Sequence, residues 1–196
     1  MKAFRALLLV GLLAGCGVQA DGAPRALPPD QVPEELLAPS STADAPASPE
    51  GGILRTVWLV DNEGCLVETE RRVAGPSIVA SVVDSLLDGA DDAEAADGLR
   101  SEIPTGTERL GIDALGGGET VQIDLSEQFI DVTAESGLRA QAQLVYTITD
   151  AQPNIEGVIF LVEGEPLEGT TDEGQLTSAP LQQRDFTDFT DRCEGS

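Results

Sequence analysis

The chain contains no histidine, and its one lysine is Lys2. The first absence excludes Ser-His-Asp and Cys-His catalysis and every histidine metal site. Without lysine beyond the second residue, Ser-Lys dyads and Schiff-base chemistry fall away too. Aromatic residues make up only 4% of the chain, which counts against sugar stacking. Positive charge is scarce: 11 basic residues face 35 acidic ones, for a net charge of -24. Such a surface repels nucleic acid and anionic lipid headgroups. The chemistry left to an enzyme is carboxylate chemistry of the glycosidase kind, or calcium-assisted chemistry. Carboxylates are so abundant that no pair stands out, so no catalytic residue, metal ligand or cofactor is assigned.

What is present begins at the N-terminus. Lys2 and Arg5 form a short positive region, followed by the apolar run Ala6 to Leu13. That run is far shorter than the ~20 apolar residues a membrane-spanning helix needs, and fits the core of a cleavable signal peptide. Leu13-Ala14-Gly15-Cys16 is similar to a lipobox. Small residues at Ala14 and Gly15 let an extended chain enter a peptidase groove, and the Cys16 thiol is the nucleophile that takes up diacylglycerol. Residues 1–15 are therefore expected to be a lipoprotein signal peptide and Cys16 the lipidation site. A second acyl chain such as palmitate makes the anchor stable, because one chain binds only marginally. The expected location is the cell membrane, lipid-anchored on its extracytoplasmic face. Processing removes Lys2 and Arg5, leaving nine basic residues against 35 acidic ones.

With Cys16 assigned to lipid, Cys65 and Cys193 remain. An oxidising exterior permits one intramolecular bridge between them. Two free thiols, or links to other chains, are the alternatives.

Residues 16–52 are expected to form the lipidated cysteine and a disordered linker, with seven of the twelve prolines set among Ala, Ser, Asp and Glu. Such composition does not fold alone. It spans between about 35 Å as a coil and about 110 Å if extended, a stalk lifting a domain off the membrane.

Residues 53–189 are of single-domain size, with 190–196 as a tail. Ile53 to Val60 and Cys65 to Val73 read as strands joined by the turn Asp61-Asn62-Glu63-Gly64. Pro76 suits the first position of a helix and Gly89 its exit. Between them Ile78, Val79, Val82, Val83, Leu86 and Leu87 form one apolar face. The acidic run Asp88 to Asp97 reads as solvated surface. Alternation over Arg109 to Leu115 and Glu119 to Leu125 predicts a second hairpin around Gly116-Gly117-Gly118, with Leu110, Ile112, Val121, Ile123 and Leu125 pointing inward. A second helix is predicted from about Ala134 to Asp150, on Leu138, Ala142, Val145 and Ile148 with Tyr146 flanking. Ile155 to Val162, nearly all apolar, reads as a central or doubly buried strand. The order ββαββαβ predicts an α+β fold, a small mixed sheet with two helices packed on one face. The irregular tail carries Asp185, Asp188 and Asp191. Their spacing lacks the glycine and ligand pattern of a calcium loop, so a solvated acidic tail is expected.

Several blocks, in order, resemble the GerMN domain family, the sporulation and spore germination module. They are Val57-Trp58-Leu59-Val60, Leu86-Leu87-Asp88-Gly89, Gly98-Leu99-Arg100-Ser101-Glu102-Ile103-Pro104-Thr105-Gly106-Thr107, Val121 to Phe129, Leu144 to Thr149, and Val158 to Gly164. Ala90 departs from the family, which usually has proline there, and the cysteine pair and Asp-Phe-Thr repeat do not map onto it. Pro104 and Gly106 are expected to fix a turn, Asp124 to sit opposite Ile123 and Leu125, and Ser126 to cap the segment after β-strand Val121 to Leu125. The resemblance implies a ring-building-type fold and supplies no catalytic residues.

The leading expectation is a membrane-anchored, non-enzymatic assembly module. Its partners would be extracytoplasmic proteins of envelope or sporulation-related complexes, further copies of itself, and no nucleic acid. The alternative is a lipoprotein binding a glycan or peptidoglycan fragment in a groove lined by Trp58, Tyr146 and carboxylates.

Overall fold

A computed structural model describes residues 51–190. Strands β1 (Ile53–Val60) and β2 (Leu66–Val73) pair antiparallel, from Val60 opposite Leu66 to Ile53 opposite Val73. The predicted turn between them is built by Asp61, whose Oδ1 accepts from the Glu63 and Cys65 N–H groups at 2.8 and 2.9 Å. Gly64 supplies the left-handed backbone, φ 89°, that closes it.

Helix α1 (Ile78–Leu87) buries Val79, Val82, Val83 and Leu86, as their spacing predicted. It starts later than Pro76 suggested. Ser77 is the cap, its hydroxyl accepting from the Ala80 N–H, and Pro76 lies one residue outside. Gly89, φ 82°, follows the end. A five-residue helix, α2 (Asp92–Ala96), occupies the acidic run that composition alone suggested was solvated.

The main sheet has four strands in the order β3 (Arg109–Leu115), β4 (Thr120–Leu125), β5 (Gly157–Val162) and β6 (Glu165–Leu167). β3 and β6 run antiparallel to their neighbours, and β4 and β5 are parallel. A parallel pair needs a crossover, and helix α3 (Ala134–Ala151) is contained in it. Val121, Ile123 and Leu125 pair with Val158, Phe160 and Val162 on the core face. β5 is interior to the sheet, as expected, while Ile159 and Leu161 on its other face are half-buried. The class is α+β. The β1–β2 hairpin forms a sheet of its own, joined to the rest through the helices.

Leu110 departs from its expected inward position and is 47% exposed. The register explains this: Arg109 faces Leu125 and Gly111 faces Asp124, leaving Leu110 as the extra residue of a β-bulge. The displaced strand lets the Arg109 guanidinium grip the Asp84 carboxylate of α1 through two bonds of 2.7 and 2.8 Å.

Past β6 come a short hairpin, β7 (Gly169–Thr170) with β8 (Leu176–Thr177), and a 3-10 segment, Gln183–Phe189. This stretch is not a solvated tail. Phe186 is fully buried, and the Tyr146 hydroxyl donates to the Gln183 carbonyl at 3.2 Å.

Candidate functional site

Polar side chains in the core show where this sequence has committed its chemistry. Along α3, every residue from Gln141 to Thr149 is buried. A helix enclosed on all sides must satisfy its polar groups internally, and this one uses them in place of a strand. β1 pairs with β2 along one edge. On the other edge the Trp58 N–H donates to Thr147 Oγ1 at 3.0 Å, and Gln143 Nε2 donates to the Trp58 carbonyl at 2.8 Å. Gln143 Oε1 then accepts from the Glu102 N–H at 2.8 Å. One fully buried amide thus joins the hairpin, the central helix and the turn before β3. That turn is built as predicted, with the Thr107 N–H and hydroxyl both donating to the Pro104 carbonyl and Gly106 at φ 87°.

The aromatic pair proposed for a sugar groove belongs to this core. Trp58 and Tyr146 are buried with ring centroids 4.8 Å apart, and the Trp58 indole N–H donates to Asp150 Oδ2 at 2.8 Å. Neither ring lines any of the described cavities.

Asp88, Asp91, Asp92 and Asp97 of the acidic run are exposed, as expected, and Glu94 is the exception. Its carboxylate is buried against Arg71, which also donates to the Ser85 and Gly89 carbonyls, and it accepts from the Asp91 N–H at 2.7 Å. Burial alone would raise its pKa. The Arg71 and Asp91 hydrogen bonds, with the Arg71 charge, outweigh that and hold it below the ordinary value. The pair pins α2 and the loop after α1 to β2.

Asp124 and Ser126, expected as folding features, and the carboxylates of the last segment all make contacts within the fold. Asp124 Oδ1 accepts from the Gly164 N–H at 2.9 Å, securing the β5–β6 turn where Glu163 has φ 52°. Ser126 does not cap the 3-10 turn after β4; its hydroxyl accepts from the Glu108 N–H at 2.9 Å, holding the approach to β3. Asp185 Oδ2 accepts from the Gln182 N–H, and Asp172 Oδ2 from the Asp188 N–H. Asp191 lies outside the described residues. Among the described residues no group of three or more His, Cys, Asp or Glu is placed to hold a metal ion, and no helix is long and apolar enough to cross a membrane.

Cys16 and Cys193 lie outside the described residues. Cys65 is described: it follows the β1–β2 turn, and its N–H donates to Asp61 Oδ1 at 2.9 Å. Its surroundings are informative. A Cβ on the neighbouring Gly64 would meet Arg139 Nη2 at 2.9 Å, and the same guanidinium lies over the Phe189 ring, 5.7 Å from its centroid. The end of the 3-10 segment and the β1–β2 turn therefore share one arginine of α3.

The model of the family described as Germane, sporulation and spore germination, matches residues 56–168. The chain belongs to the GerMN family. Its fold is similar to that of the first GerMN domain of the sporulation protein GerM from Bacillus subtilis. The two are 18% identical, with a TM-score of 0.54 over 67% of this chain and 98% of that one. Against the tandem GerMN domains of the same protein the identity is 19% and the TM-score 0.55, over 68% of this chain. The match spans 47% of the tandem structure, about half its length. At this identity the likeness concerns the fold alone. No curated protein matches the chain significantly. Within the GerMN domain, the block from Gly98 to Thr107 now has a physical role: the Glu102 N–H donates to Gln143, Arg100 pairs with Val60, and the Pro104 carbonyl accepts from Thr107.

Proposed function

We propose that the protein is a lipid-anchored, extracytoplasmic GerMN module that recruits envelope proteins and carries out no catalysis of its own. The observation that carries this reading is the order of parts in one chain: a sequence similar to a lipobox ending at Cys16, a proline-rich stretch, then a GerMN domain over residues 56–168. A tethered domain on a stalk meets partners at the membrane surface at raised effective concentration. The core polar groups support the non-enzymatic part, since Gln143, Thr147, Glu94, Asp124 and Asp185 all serve the fold. Envelope or sporulation-related complexes are the proposed setting, with self-association as a further mode.

The cysteines complete the proposal. With Cys16 acylated, Cys193 is the partner left for Cys65. The approach of Phe189 to Gly64 through Arg139 supports a bridge only four residues beyond Phe189. The anchor is tested by metabolic labelling with an alkynyl fatty acid. Wild type takes the label in the membrane fraction, and Cys16→Ala is unlabelled. Label retained on the variant defeats the anchoring claim.

A further inference from the structure

The two edges of the main sheet are unlike. β6 has three residues and contains Pro166, which has no N–H to offer. β3, at the other edge, has seven residues and neither proline nor lysine, the usual guards of an exposed edge. Its bonding pattern follows from β4. The Glu163 N–H donates to the Leu125 carbonyl and the Gly157 N–H to the Glu119 carbonyl, so the odd-numbered residues there bond toward β5. Thr120, Gln122 and Asp124 therefore bond toward β3, where they face Leu115, Asp113 and Gly111. Ile112 and Ala114 lie between these, past the bulge, and turn their N–H and C=O groups out of the sheet. Among the described residues no loop or helix backbone bonds to either. Against the same stretch lies a cavity of about 240 Å³ with Val79, Ile112, Ala114, Val121 and Ile155 among its walls.

We infer that the recruited protein docks on the β3 edge, adding an extended segment as a fifth strand of the sheet and setting one apolar side chain in this cavity. The inference rests on the recruitment reading above and names its surface. The unpaired backbone selects the ligand class, because a row of outward N–H and C=O groups is matched only by another extended chain. The register selects the anchor. Ile112 and Ala114 sit opposite Ile123 and Val121 on the core face, and a residue bonded to either across the edge points its side chain to that same face, where the cavity lies. Charge decides against a second copy of this chain. The two-fold register that bonds Ile112 to Ala114 of the copy, and the reverse, is centred on Asp113 and sets that exposed carboxylate opposite its own copy. Each chain also carries a net charge of -24. The added strand therefore comes from another protein and is not acidic opposite Asp113.

Amide hydrogen exchange of the full mature chain, followed by nuclear magnetic resonance, tests the edge. Without a ligand the Ile112 and Ala114 amides should exchange freely, while those of Asp113 and Leu115 are protected. The probe acetyl-Lys-Thr-Leu-Thr-Lys-amide should protect Ile112 and Ala114. The same peptide N-methylated at its leucine, or with glycine in place of leucine, should bind about tenfold more weakly, through loss of a main-chain bond or of the anchor. Ala114→Pro removes one outward N–H at an edge position where proline is tolerated, and Ala114→Trp crowds the cavity while keeping the backbone. Each should weaken the first probe by a similar factor. Protection of Ile112 and Ala114 in the free chain at every concentration, protection that appears only as the chain is concentrated, no protection by the first probe, or equal binding of all three peptides each overturns the inference. A photo-crosslinking residue placed in intact cells at Leu115, at the end of β3, and separately at the exposed Leu176 of β8 separates the two readings. Protein adducts at Leu115 that Ala114→Pro or Ala114→Trp removes support the edge. Adducts at Leu115 that survive both variants, or adducts at Leu176 alone, overturn it and keep the recruitment reading. Adducts at neither position overturn both.

Discussion

Replacing Gln143 with Leu should destabilise the domain more than its uncharged character suggests. The substitution keeps the side chain's approximate bulk but removes both ends of its bridge. The Trp58 carbonyl and the Glu102 N–H, 2.8 Å from the amide, each lose their side-chain partner. A buried polar group left without a partner costs about 1–3 kcal/mol, so the pair costs about 2–6 kcal/mol. Added apolar burial returns roughly 1 kcal/mol, leaving a net loss of about 1–5 kcal/mol. Domain stabilities run to about 5–15 kcal/mol, so this is a large share. At about 2–4 °C per kcal/mol for a domain of this size, the melting temperature should fall by roughly 2–20 °C. Urea unfolding followed by circular dichroism, with the m-value fitted, measures it. Thr147→Val, which orphans only the Trp58 N–H, should cost less, about 1–3 kcal/mol. A Gln143→Leu loss below about 0.5 kcal/mol, less than the net worth of one typical hydrogen bond, with an unchanged m-value, would refute the view that α3 substitutes for a strand along β1.

Two further outcomes rest on particular residues. Glu94→Gln should cost about 3 kcal/mol at pH 7, since it leaves the buried Arg71 charge without its counter-ion. Because the folded-state pKa of Glu94 is lowered from 4.5, its contribution is present above that value and is lost as pH falls through the folded one. The gap between wild type and variant should therefore close in acid, and a gap independent of pH would contradict the pairing. For the cysteines, non-reducing mass spectrometry of protein from its native envelope should find a linked Cys65–Cys193 peptide. Cys193→Ser should then cost about 2–5 kcal/mol, whereas two alkylatable thiols or a reducible dimer would defeat the bridge.

Much of this fold is legible along the chain. Both hairpins announce themselves by turn residues, and α1 by the spacing of its valines and leucines. β5 stands out as an uninterrupted apolar run. Local pattern fails where a distant partner decides. Glu94 sits among exposed carboxylates and looks like them; only Arg71, 23 residues earlier, makes it buried. Leu110 alternates correctly and is still exposed, because a bulge shifts the phase by one residue, and an alternation rule carries no mark of that. α3 did leave a signal. From Ala140 to Thr149 it has no charged residue, in a chain that is 23% charged. Gln and Thr at Gln141, Gln143, Thr147 and Thr149 are the residues of a helix enclosed on every side.

The central claim is recruitment at the membrane, and its most direct measurement is crosslinking in intact cells with mass spectrometry of the adducts. Amine-reactive reagents are the wrong choice, because the chain carries no lysine beyond Lys2. Carboxylate-directed or photoactivated reagents suit its acidic surface. The account predicts adducts between residues 53–189 and a small set of extracytoplasmic proteins in the membrane fraction, lost when Cys16→Ala removes the anchor. A domain that forms no protein adducts while membrane-bound, or one that turns over a substrate through a single carboxylate, would contradict it.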